Sequence, residues 1–360
     1  MPKTKQEIID GEFLEQRFTS SGQMFTYITD AFGRSPGSPV HLFVILPAKG
    51  VTVSKIVKAA TKRRVTFSAD RISDSLYRVR LGVRTRQIKG HLLTHKDWWL
   101  LITRGKGSTS YEVFIRSFVK NHFFPLLHPA YVDSHGLVKL AASLSSVFGT
   151  ITLEEFSMAS ERGTLREWLQ SGAVFSMETA RSLQRKYDSS FTGLRLSGHS
   201  ESVSTIRLRL YTESRLCFLS GSFGDFYEFV VIPFVHAALH TNKEYQGLER
   251  ETIGGAVKIS GIRIEAEDVT DADLLSIKQF ILRNYASEIS YENPVVVLQA
   301  TDLRDGSSFD IYITKQGIEI VPLAKASSAS LLELCMSIVR RLPPFAQFKR
   351  IPPIKVPFVE

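Results

Sequence analysis

Apolar side chains recur along this chain with two periods, one helical and one alternating. Val53, Ile56, Val57 and Ala60 in VSKIVKAATK fall at helical spacing and predict a helix over 53–62. METARSLQRKY from Met177 and DADLLSIKQFILRNY from Asp271 predict two more. The last has the clearest start: Thr270 is placed as N-cap, and Asp271 and Asp273 occupy the first turn, where the helix dipole favours acids. Ala329 to Leu342 predicts a further amphipathic helix, with Leu331, Leu332, Cys335, Ile338 and Val339 on one side. The alternating period is clearest in SLYRVRLGVRTRQIK. There Tyr77, Val79, Leu81 and Val83 point one way, and Arg78, Arg80, Arg84 and Arg86 the other. HLFVILP and IEIVP read as apolar strands. PVVVLQATDL and SFDIYIT read as a hairpin turning at Arg304, Asp305 and Gly306.

Two windows resemble each other. KDWWLLITRGKGSTSYEVFIRSFV and SRLCFLSGSFGDFYEFVVIPFV each hold an apolar strand, a Gly-rich connection and a second apolar run. Aligning Tyr111 with Tyr227 also matches Glu112 with Glu228, Phe118 with Phe234 and Val119 with Val235. The β-branched and aromatic content of both second runs, with Pro233 late in one, predicts strands. The 304–306 hairpin supplies a third copy by pattern, and each copy has one of the predicted helices upstream. The chain therefore reads as α+β, built of two or three tandem helix-on-antiparallel-sheet units with mixed sheets. Their spans are 40–150, 151–250 and 251–342. Before them, 1–39 reads as a peripheral segment with a short helix at Lys5 to Phe13 and a FGRSPGSP linker. After them, 343–360 carries five prolines and reads as an extended tail.

Composition narrows the class. With 360 residues, 43% hydrophobic and 22% charged, the chain has ordinary globular usage, which excludes wholesale disorder. Two cysteines exclude a disulfide framework and point to an intracellular setting. The start, MPKTKQEIIDGEF, lacks the apolar stretch of a signal peptide, and the run from Phe229 to Leu239 is far short of the ~20 residues that span a bilayer, so no membrane partner is expected. The net charge of +9 comes from 45 basic and 36 acidic residues. Residues 51–100 hold 12 of the basic and only 3 of the acidic side chains (Asp70, Asp74 and Asp97), and the rest of the chain carries 33 of each. The excess is local, and a local basic face attracts polyanions.

That window contains the candidate site: Lys55, Lys58, Lys62, Arg63 and Arg64 on or just after the helix, and Arg78, Arg80, Arg84 and Arg86 on the strand. Guanidinium forks match phosphate oxygens, and lysines add less directional charge. Nucleic acid, DNA or RNA, is the expected partner of a non-enzymatic protein, bound mainly through phosphates. Trp98 and Trp99 follow nearby and read mainly as core. A second reading is a protein–protein adaptor in a larger complex. It would use the tail and charge segregation, since 251–300 holds 4 basic and 8 acidic residues. A third is a metal-dependent nuclease or hydrolase. Its ligands would be His236, His240 and Glu244 at i, i+4 and i+8, or the acids Glu154/Glu155 and Glu265/Glu267/Asp268. No GxxxxGK[ST] occurs, and Cys217 and Cys335 read as core, so no catalytic residue and no cofactor is predicted.

Overall fold

Helix α1 (Ser21–Phe32) leads into the central strand β1 (Val40–Pro47). This computed structural model describes residues 16, 18–32, 39–63, 65–83, 86–104, 107–160, 163–199, 205–248, 251–253, 256–292, 295–323 and 325–357. Helix α2 (Val53–Lys62) follows where the periodicity predicts it. Thr52 caps it by accepting the Lys55 backbone N–H, and Val53, Ile56 and Ala60 are its buried stripe. A meander of β2 (Thr66–Arg71), β3 (Leu76–Val83), β4 (Arg86–Thr94) and β5 (Trp99–Arg104) comes next. β5 returns beside β1, pairing Val40 with Arg104 through Ile45 with Trp99. A short α3 (Gly107–Tyr111) then runs into a π-helix, π1 (Glu112–Phe123).

The middle of the chain contributes β6 (Leu127–Pro129), α4 (Ser134–Ser143), α5 (Ser145–Phe148), β7 (Thr150–Ser160), β8 (Gly163–Val174) and α6 (Met177–Tyr187). After these come β9 (Phe191–His199), β10 (Ile206–Tyr211), β11 (Arg215–Ser220), α7 (Phe223–Phe226), a second π-helix π2 (Tyr227–Val231) and α8 (Ile232–Glu244). β11 pairs with the other edge of β1, from Val40 with Phe218 to Phe43 with Arg215, and β6 continues along that edge. The first two predicted units thus share one eleven-stranded sheet in the order β2-β3-β4-β5-β1-β11-β10-β9-β7-β8, with β6 on β1.

Strand β1 is buried on both faces. Val40, Leu42, Val44 and Leu46 enter one core, while Phe43 and Ile45 enter the other. α2 and π1 cover the second face against Val79, Leu81, Leu92 and Trp99. α4 to α8 lie on the opposite side, over Leu194, Leu196, Leu208 and Phe218. This alternation leaves one face of the β2–β5 half without its own helices. α1 covers part of it with Met24, Ile28 and Phe32, which corrects the reading of 1–39 as wholly peripheral. The predicted helix at Lys5 to Phe13 lies outside the described residues.

The second apolar runs of the two similar windows, predicted as strands, are helices. Val113, Phe114, Phe118, Val119 and Phe123 are buried at four- and five-residue steps, which the i→i+5 winding of a π-helix brings onto one side. β-propensity is overruled because these side chains fill the layer between sheet and solvent. Pro233 sits in the first turn of α8, where a missing N–H costs little. The strand–short helix–π-helix order is the same in both windows.

A second, seven-stranded sheet holds β12 (Glu251–Ile253), β13 (Ala256–Glu265), then helix α9 (Asp271–Asn284), β14 (Ala286–Glu292), β15 (Val296–Asp302), β16 (Ser307–Thr314) and β17 (Gly317–Pro322). Helix α10 (Ser328–Val339) and β18 (Gln347–Pro357) complete it. Its order is β12-β13-β17-β16-β15-β14, with β18 on β13. From β13 to α10 the connectivity repeats that of β1 to π1: strand, helix, four-strand meander, helix, with the last strand beside the first. Thr270 and Asp273 form a reciprocal capping box, as the first turn of α9 predicts. The strand pairing is antiparallel in both sheets rather than mixed. The fold class is α+β.

The proline-rich tail is a strand of its own sheet. β18 pairs with β13 from Gln347 opposite Glu265 to Pro357 opposite Ala256, with one irregularity in register. As an outer strand it tolerates prolines, and Pro352 and Pro353 fall at that irregularity, where the ladder is interrupted. Phe348 packs against the second sheet's core, its ring 5.8 Å from that of Tyr245. Ending the chain before Gln347 is therefore expected to lower stability by at least about 2 kcal/mol, the worth of one buried aromatic side chain. Urea titration followed by circular dichroism checks this, and an unchanged midpoint would show the strand to be dispensable.

Candidate functional site

The predicted basic residues divide between two sides of one sheet edge. Lys55, Lys58 and Lys62 stand at i, i+3 and i+7 on α2, all exposed, opposite the buried Val53, Ile56 and Ala60. Their stripe spans roughly 10 Å of helix axis. Lys55 Nζ donates to the Gly50 carbonyl at 2.7 Å. Arg63 is the C-cap residue, exposed, with its guanidinium 5.1 Å from the Phe123 ring centroid. On the other side of the sheet, Arg78 and Arg80 share a face of β3, with Arg80 opposite Lys89 of β4. Arg78 reaches Asp70 at 3.3 Å, and Arg80 is exposed.

The predicted one-face ladder of four arginines does not form. β3 ends at Val83 and Arg86 opens β4, two residues before the buried Ile88. Arg86 therefore shares the side of Val79 and Leu81, away from Arg78 and Arg80. The alternation was read through a strand break, which shifts every later side chain. Arg64 and Arg84 lie outside the described residues. Trp98 and Trp99 are buried in different cores and offer no base-stacking platform, with Trp98 stacked on His95 at 3.9 Å.

An arginine cluster on one sheet face does exist in the β7–β10 half, where each guanidinium contacts one of two carboxylates. The register of β7 shifts between Leu153 and Glu155, and both Glu154 and Glu155 meet guanidinium groups. Glu154 pairs with Arg195 at 2.7 Å and accepts from Arg207 at 2.9 and 3.0 Å. Glu155 accepts from Arg209 at 2.9 Å and from Arg166. Burial opposes the Glu154 charge, but the Arg207 and Arg195 contacts outweigh it and hold its carboxyl below the usual range.

These contacts remove the metal readings. Glu154 and Glu155 are engaged by arginines, and Glu265 is held by Lys349 at 2.5 Å and Arg263 at 3.4 Å. His240 lies 3.6 Å from Glu244 on the exposed side of α8, and His236 is exposed as well. Among the described residues no three His, Cys, Asp or Glu side chains converge to hold a metal ion. Cys217 and Cys335 are buried, and burial pushes the Cys217 thiol up to about 11. No helix among the described residues is long and apolar enough to cross a membrane.

A buried ion network joins the two sheets, and no local pattern announces it. Lys120 of π1 reaches Glu213 at 2.7 Å and Glu333 of α10 at 3.0 Å. Arg340, at the end of α10, binds the other Glu213 oxygen at 3.2 Å. Arg304 binds Glu333 at 2.9 Å and Asp302 at 2.6 Å. Three cations thus meet three carboxylates drawn from four separated stretches of chain. Glu213 is held in the β10–β11 turn, where Ser214 adopts φ 51°. There the Ser214 N–H donates to the Ala130 carbonyl at 2.7 Å and its hydroxyl to Val44 at 2.8 Å. Burial opposes the Glu213 charge, yet Lys120 and Arg340 hold its carboxyl down to about 2. Burial likewise opposes the Lys120 charge, and Tyr131, Glu213 and Glu333 together outweigh it and hold the ammonium well above its ordinary value.

Comparison of the sequence with models of known protein families gives no match, and comparison with curated protein sequences gives none either. Function is therefore argued from the site itself.

Proposed function

We propose that the α2 edge of the first sheet is a phosphate-contacting surface for nucleic acid. The observation that carries this reading is a contrast. In the β7–β10 half, Arg166, Arg195, Arg207 and Arg209 are all consumed by Glu154 and Glu155. Around α2, by contrast, Asp70 and Asp74 are spent on Arg78 and Arg71, and Lys55, Lys58, Lys62, Arg63, Arg80 and Arg86 have no carboxylate partner among the described residues. Long side chains held exposed without counter-ions suit a polyanion that brings its own charge. The lysine stripe of α2, with Arg63 and Arg86 on the same side, forms the principal contact. Arg80 extends it around the free β2 edge. Contacts of this kind are to backbone phosphates, so affinity is salt-dependent with little sequence preference.

Fluorescence anisotropy with a labelled DNA duplex and a single-stranded RNA of the same length, across a salt series, tests this. The Lys55→Gln/Lys58→Gln/Lys62→Gln variant is expected to flatten the log K against log[salt] slope on the duplex by about three units, and Arg80→Gln by about one. An unchanged slope in the triple variant would remove the proposal. The two probes also separate DNA from RNA preference.

A further inference from the structure

We propose that the cleft between the β9–β11 face and helix α9 binds a small organic oxyanion, a phosphate- or carboxylate-bearing molecule. The cleft has a volume of about 610 Å³ and is lined by side chains of the first sheet on one wall and of helix α9 and the end of α10 on the other. This is the size range of small-molecule sites. Arg215 enters it from β11 and Arg341 from just beyond α10. The Arg215 guanidinium carbon lies over the Tyr211 ring at 4.5 Å from its centroid, and that of Arg341 over the Phe280 ring at 3.9 Å. Contact of this kind restrains each fork and leaves N–H donors to meet an oxyanion.

Neither arginine has a carboxylate partner among the described residues. Arg215 Nε is buried without a hydrogen bond, and Arg341 donates from Nη1 only to the Ser337 carbonyl, at 2.5 Å. The carboxylates that do line the cleft are otherwise engaged or face solvent. Glu213 is clamped by Lys120 and Arg340, Asp273 accepts from the Thr270 N–H and hydroxyl, and Asp188 is an exposed C-cap residue. The Arg215 Nη2 end lies against Gly107, where a Cβ would come within 2.6 Å of it. Burial and the neighbouring Arg340 both disfavour the positive charge of Arg341, a penalty that a bound anion would relieve. The Thr192 and Ser157 hydroxyls, 3.1 Å apart on the strand wall, add neutral donors.

Isothermal titration of the full chain with inorganic pyrophosphate and, separately, succinate tests the site and distinguishes phosphate from carboxylate ligands. Saturable binding of at least one probe is expected, with Kd raised at least about tenfold in Arg215→Met/Arg341→Met, which keeps the apolar stems on their rings. Ser276→Trp, which fills the cleft and leaves both charges in place, is expected to abolish the same binding. Lys55→Gln/Lys58→Gln/Lys62→Gln is expected to leave it unchanged, so this result is independent of nucleic-acid binding at α2. The proposal is overturned by no saturable heat up to about 10 mM of either probe. Equal affinity in the cleft-filled variant overturns it too, and loss of binding only in the lysine variant places the anion at α2 instead.

Discussion

Replacing Glu213 with leucine is expected to destabilise the folded chain by about 3–5 kcal/mol, the cost of leaving a buried charge without its partner. Glu213 is 8% exposed and lies between Lys120 and Arg340. Lys120 retains Glu333 after the substitution, whereas Arg340 keeps only a long contact of 3.5 Å to the Thr212 hydroxyl. The stranded guanidinium therefore dominates the loss. Removing it as well, in Glu213→Leu/Arg340→Leu, is expected to recover a large part of the stability, because an apolar pair needs no desolvation of charge. Urea titration of the wild type, both single variants and the double variant completes the cycle. Additive losses would show that the two residues do not act as a pair. A single-variant loss below about 1 kcal/mol would show that the network behaves like a surface ion pair.

Acidification is expected to weaken the fold in two overlapping steps. His91 and His128 are both buried, and each is pushed down to about 4, His91 by burial and then by Arg78, and His128 by burial. Their folded-state values lie below the ordinary 6.5, so between these limits the unfolded chain takes up protons that the folded chain refuses. The stability they confer is whole above about 6.5 and is lost as pH falls towards 4, on the order of 3 kcal/mol for each. Glu213 adds a second step with the same sign. Its carboxyl is held at about 2 against an ordinary 4.5, so its contribution is present above about 4.5 and disappears as pH falls towards 2. Denaturant titrations at pH 7, 6, 5 and 4 check the first step. His128→Phe is expected to reduce the pH dependence between 6.5 and 4 by about one proton. A pH-independent midpoint in the wild type over that range would show that these histidines are protonated in the folded chain.

Local pattern carried part of this architecture. The helices at 53–62, from 177 and from 271 were legible from their helical spacing of apolar residues, and the last also from its N-cap at Thr270. The turn at 304–306 and the apolar strands at 40–47 and 317–322 were legible for the same kind of reason. The runs at 112–123 and 227–235 were misread because β-branched and aromatic residues also fill π- and α-helical faces when a sheet lies beneath them. Arg86 was misplaced because a period of two cannot be carried through a strand break. Helical spacing alone places Lys55, Lys58 and Lys62 on the exposed part of α2.

The sequence by itself determined the α+β class, the helices at 53–62, from 177, from 271 and from 329, and the concentration of positive charge in 51–100, all of which depend on neighbours a few residues apart. Tertiary structure alone decided that β1 and β11 fuse two units into one sheet, that β18 closes the second sheet, and which cations find carboxylates. The physical reason is range: a strand's partner and a charge's counter-ion are chosen across 80 to 220 residues of chain. Lys120 meets Glu213 and Glu333, while Arg80 meets neither, only because the folded backbone brings one to acids and leaves the other at an edge.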